Sequence, residues 1–138
     1  MQRRPTQRRI PISVVAVVPD LFFAAKLEAA ARAAGADLVF VPAGAALERC
    51  AAAPPARVLL DLHAPGAIAL ARALKADART AGIPLVGFYS HVEADLRRDA
   101  RDAGVDEVLP RSAFVKRLAV LFEERPHGPG TSPQRGIA

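Results

Sequence analysis

The residues with the means to do chemistry in this chain stand where apolar runs stop. Arg57-Val58-Leu59-Leu60-Asp61-Leu62-His63-Ala64-Pro65 is such a run, ending in a carboxylate with a proline beyond it. It reads as a buried parallel strand that delivers Asp61 to the carboxyl edge of a sheet. Asp20 follows the apolar run Ile12 to Val18 in the same way, and Ser90 follows Pro84 to Tyr89. Two carboxylates and a hydroxyl at one sheet edge could serve a binding crevice. The same residue types also cap helices and make turns, so both readings stand for Asp20, Asp61 and Ser90. His63 and His91 would flank that crevice, which raises metal or acid/base chemistry, but no cysteine or carboxylate stands at ligand spacing from them.

These side chains need a scaffold, and the chain supplies one in a regular order. Ile12 to Val18 is β-branched and continuous, the pattern of a strand covered on both faces, and Pro19-Asp20 ends it. Asp20 can cap a helix over Leu21 to Ala34, which Gly35 stops. Asp37 to Val41 is a second strand, Ala45 to Ala52 a short helix, and Ala53-Pro54-Pro55-Ala56 the connector to the strand of Asp61. Ile68, Leu70, Ala71 and Leu74 have helical spacing, fading through Asp77-Ala78-Arg79-Thr80 into Gly82. After the fourth strand, Ser90 or His91 opens a helix to Asp102 with Arg97, Arg98 and Arg101 on its polar face, closed by Gly104. Val105 to Leu109 is a fifth strand, and Ser112 can cap a last helix carrying the stripe Val115, Leu118, Ala119 and Phe122.

Five strands alternating with five helices force a parallel sheet with right-handed crossovers and helices on both faces. The expected architecture is a flavodoxin-like, doubly wound α/β domain with strand order 2-1-3-4-5. Its crevice opens between strands one and three, which are followed by Asp20 and Asp61.

Composition sets the outer bounds. At 138 residues and 51% hydrophobic, the chain matches one domain with an ordinary core. Its net charge of +5 belongs to the ends: Arg3, Arg4, Arg8, Arg9, Arg125 and Arg135 lie in acid-free stretches, and setting those six aside leaves 13 basic against 14 acidic residues. Residues 1–10 read as a disordered basic arm able to hold nucleic acid weakly and non-specifically, 11–124 as the domain, and 125–138 as a disordered Pro- and Gly-rich tail. Arg8-Arg9 before Ile12 to Val18 superficially imitates a twin-arginine or secretory signal, but cleavage near Ala24-Ala25 would remove the first strand. No apolar run approaches a membrane span, and the single Cys50 suits a reducing cytoplasm, the expected location.

With these elements in place, the chain resembles a response-regulator receiver domain of two-component signalling over roughly Ile12 to Glu124. The resemblance rests on Leu59-Leu60-Asp61-Leu62-His63-Ala64-Pro65, similar to the family's hydrophobic-Asp-x-x-x-Pro pattern around the phosphorylated aspartate. Leu74-Lys75-Ala76-Asp77, Ile83-Pro84-Leu85-Val86 and Ala103-Gly104-Val105-Asp106-Glu107-Val108-Leu109 follow in the family's order. It implies Asp61 as phosphoacceptor, and Mg2+ held by Asp20, Asp61 and the backbone carbonyl of His63. Ser90 and Arg111 would meet the phosphoryl group, donated by a histidine kinase or phosphotransfer protein. Output would pass to a downstream protein through the face of the fourth helix, fifth strand and fifth helix.

The departures from the pattern are as informative. The family's acid pair is Pro19-Asp20 here, Tyr89 stands at the Ser/Thr position with Ser90 one place late, and Arg111 replaces the lysine, with Ser112 where a cis-proline normally follows. A guanidinium is a broad fork where the family uses a compact ammonium. Two outcomes are therefore open: a stand-alone atypical receiver that accepts phosphate on Asp61, or a phosphorylation-independent pseudo-receiver. A remote competitor is a cobalamin-binding domain, since Asp61-Leu62-His63-Ala64-Pro65-Gly66 spells D-x-H-x-x-G; there the motif follows the first strand, not the third, and no Gly-Gly or Ser-x-Leu occurs. No dinucleotide fingerprint follows the first strand, and no P-loop, nucleophile elbow or H-E-x-x-H pair is present, so the expectation is an interaction module, not an enzyme.

Overall fold

A computed structural model describes residues 11–91 and 93–123. The basic arm and the tail therefore lie outside the described residues, as does Val92. Five strands run β1 (Ser13–Val17), β2 (Asp37–Phe40), β3 (Arg57–Asp61), β4 (Leu85–Tyr89) and β5 (Glu107–Pro110). The helices between and after them are α1 (Leu21–Ala34), α2 (Ala43–Ala52), α3 (Ala67–Ala76), α4 (Ala94–Asp102), α5 (Arg111–Lys116) and α6 (Leu118–Glu123). All strand pairs are parallel and the order is β2-β1-β3-β4-β5, the flavodoxin-like arrangement expected from the alternation of elements.

The alternation of side chains along each strand divides the core in two. Val14, Ala16, Leu59, Val86 and Phe88 face one side, where α1, α5 and α6 bring Phe23, Leu27, Phe114, Leu121 and Phe122. Val15, Val17, Val58, Leu60 and Leu85 face the other, covered by α2, α3 and α4 through Ala46, Cys50, Leu70, Leu74 and Ala100. All five residues of β3 are buried, as a central strand with helices on both faces requires. Even Arg57 is buried, its guanidinium donating to the carbonyl of Leu121.

Boundaries depart from the sequence expectation in three places. The fourth helix begins at Ala94, with Glu93 in the N-cap position, and not at Ser90 or His91; the backbone N–H of Ser90 donates to His63 instead. Ser112 does not cap the last helix: that helix starts at once after β5, with Pro110 in the N-cap position and Ser112 inside its first turn. The expected fifth helix is two short ones, broken at Arg117, whose φ of −99° and ψ of 2° leave the α region, while its N–H still reaches the carbonyl of Phe114. No helix among the described residues is long and apolar enough to cross a membrane.

Candidate functional site

The register of the sheet fixes which residues meet at its carboxyl rim. Val17 pairs with Leu60, Asp61 with Phe88, and Tyr89 with Pro110, so Asp61 ends β3, Ser90 and Arg111 directly follow β4 and β5, and Asp20 lies just past β1. The rim between β1 and β3 is where strand order reverses, the place where such folds open a crevice. Asp20 and Asp61 therefore share one edge, as their positions in the sequence require.

Asp61 is only 8% exposed. Its Oδ1 accepts from the backbone N–H of His63 at 2.9 Å, so the carboxylate organises its own turn. His63 in turn accepts from the backbone N–H of Ser90 at its Nε2, 3.0 Å away, which joins the loop after β3 to the loop after β4. The His91 ring stands edge-on to that of His63 with centroids 5.5 Å apart. The two histidines flank the crevice as expected, and their contact is ring to ring.

Asp20 is the N-cap of α1: its Oδ1 accepts from the N–H groups of Phe22 at 2.9 Å and Phe23 at 3.2 Å. Its other oxygen faces Arg111, Nη2 to Oδ2 being 3.7 Å. Arg111 does not reach for Asp61 and does not lie free in solvent. Its guanidinium carbon sits 4.1 Å above the centre of the Phe23 ring and 5.7 Å from that of Phe88. Those rings belong to a packed group in which Phe88 and Phe114 stack at 4.5 Å and Phe23 tilts against Phe88 at 5.0 Å. An arginine laid on aromatic faces gains cation–π attraction that a lysine's compact ammonium, with no planar surface, gains less fully.

Phe23 and Phe88, on which Arg111 lies, are residues that the sequence did not single out. Leu21-Phe22-Phe23 is apolar throughout, and only the phase of α1 decides that Phe22 is 92% exposed while Phe23 is 4% exposed.

Of the groups expected to hold Mg2+, Asp20 is the one whose oxygens are both already engaged. Magnesium demands several hard oxygen ligands in near-octahedral array. Pro19 offers no carboxylate, one oxygen of Asp20 is committed to two backbone N–H groups and the other faces a guanidinium. No group of three or more His, Cys, Asp or Glu side chains arranged to hold an ion occurs among the described residues.

No family model matches the sequence, and no curated protein matches it. Solved structures do match the fold. A candidate response regulator of Chloroflexus aurantiacus is 19% identical with a TM-score of 0.73, the match covering 81% of this chain and 94% of that one. The phosphorylated cyanobacterial phytochrome response regulator RcpA is 20% identical with a TM-score of 0.69, over 83% and 90% of the two chains. The receiver domain of the sensor histidine kinase PA1611 of Pseudomonas aeruginosa, which carries magnesium in its active-site cleft, is 17% identical with a TM-score of 0.70, over 82% and 98%. The chain has the fold of response-regulator receiver domains.

Proposed function

We propose that this chain is a receiver-like interaction module of phosphorelay signalling, without enzymatic turnover of its own, that presents one built-in conformation to another protein. The observation that carries this reading is the engagement of Asp20 by Arg111. The guanidinium supplies a positive charge at the rim, and the carboxylate also caps α1, so Asp20 is balanced and held by the protein's own groups. The surface offered is that of α4, β5 and α5. Arg98 and Arg101 are exposed on α4, and a polar, charged rim of this kind steers and aligns a partner more than it adds affinity. A cytoplasmic location accords with this role, and weak nucleic-acid contact remains a role for the basic arm.

A second reading, in which Asp61 accepts a phosphoryl group from a histidine kinase or phosphotransfer protein and Ser90 and Arg111 meet it, is supported by the placement of Asp61 at the end of the central strand. That reading requires Mg2+, for which Asp20 would have to leave Arg111. Incubation with acetyl phosphate and Mg2+ followed by intact-mass measurement separates the two. The preset module stays at its unmodified mass; an added phosphoryl group that Asp61→Asn abolishes would establish the switchable one instead.

A further inference from the structure

A cavity of about 610 Å³ lies between α1, the ends of β4 and β5, and α5, with Arg111 in its wall. Its walls carry three cations, Lys26, Arg111 and Lys116, and three hydroxyls, Tyr89, Ser90 and Ser112, with no carboxylate among them. Phe23, Pro110 and Val115 supply the apolar remainder. A volume in the range of small-molecule sites, mostly apolar walls and a few convergent groups of one charge together describe a pocket for an amphipathic anion.

Arg111 lines this cavity while facing Asp20. Its Nε is buried and has no hydrogen-bond partner, and its contact with Asp20 at 3.7 Å is an ion pair too long for a hydrogen bond. Asp20 balances only one of the three positive charges around the cavity.

We infer that this cavity is a binding site for a small organic anion, a phosphate ester or carboxylate on an apolar body, whose charge lies between Lys26, Lys116 and Arg111 and whose body lies on Phe23 and Val115. The site shares Arg111 and Ser90 with the rim described above, but neither Asp61 nor any phosphoryl transfer takes part in it.

The test is an amide-shift NMR titration of the full chain with phenyl phosphate, inorganic phosphate and benzamidine, a cation of similar bulk. Phenyl phosphate is expected to give saturable shifts confined to Phe23, Lys26, Ser90 and residues 111–116, with inorganic phosphate weaker and benzamidine without effect. The double variant Lys26→Gln/Lys116→Gln, at two exposed positions that leave folding intact, should weaken phenyl phosphate on the order of tenfold. The inference is overturned by shifts equal for benzamidine, by inorganic phosphate binding as tightly as the ester, by a double variant that binds unchanged, or by no saturable shift.

Discussion

Arg111 does the work of several residues at once: it faces the Asp20 carboxylate, lies on Phe23, and anchors the start of α5 to α1. Asp20 joins it with a cap that orders the first turn of α1. Replacing Asp20 by alanine removes both roles and should cost about 1–2 kcal/mol in urea denaturation. Asparagine keeps the capping oxygen and loses only the half-exposed ion pair, so Asp20→Asn should cost well under about 1 kcal/mol. Equal losses in the two variants would mean that the cap contributes nothing. The sequence identified Asp20, Asp61, Ser90 and Arg111 as rim residues, and identified Asp20 as a cap. It did not reveal that Arg111 faces Asp20, because that contact depends on which face of α1 turns Phe23 inward. Nor did it reveal the bond from Ser90 to His63, since a backbone donor leaves no mark in residue type.

At the scale of elements, the apolar runs located every strand, and a left-handed glycine ended α1 at Gly35 with φ of 74°, as the Ala-rich run before it required. What failed was capping after β4 and β5, where Ser90 lies three residues before the N-cap of α4 and Ser112 already stands inside the first turn of α5. Two junctions permit direct checks. Gly87 in β4 leaves no room for a side chain, since a Cβ there would stand 2.8 Å from Cδ2 of Leu62. Gly87→Ala should therefore destabilise by about 1–3 kcal/mol through displacement of Leu62, visible as a lowered urea midpoint with an unchanged slope; an unshifted midpoint would show that the loop after β3 yields freely.

Beyond α3, Asp77 accepts from the Arg79 side chain, Nε at 3.0 Å and Nη2 at 2.7 Å, and from its N–H, and these bonds hold its carboxyl down to about 2. A carboxyl lowered on folding contributes stability above its unfolded value of about 4, which is lost as pH falls toward about 2. Asp77→Asn should flatten the fall of melting temperature across that acid window and leave the neutral range alone. A slope identical to wild type would place the acid sensitivity elsewhere.

For the molecule as a whole, five apolar runs separated by helical segments were enough to specify the sheet order, because right-handed crossovers and burial on both faces leave few alternatives. The division into two cores follows from the same alternation, with Cys50 sealed in one of them, where burial pushes its thiol above the ordinary range. Cys50 should accordingly resist thiol reagents in the native protein and react at once in denaturant; rapid native labelling would show that α2 opens readily. What residue types alone left undecided was whether the rim is switched or preset, because that turns on geometry. The central claim is that Arg111, and not a divalent ion, supplies the positive charge at the carboxylate rim. Amide-shift NMR with Mg2+ and beryllium fluoride on the wild-type chain tests it most directly: the account predicts no saturable shift around Asp20 and Asp61, and a saturable response there, abolished by Asp61→Asn, would contradict it.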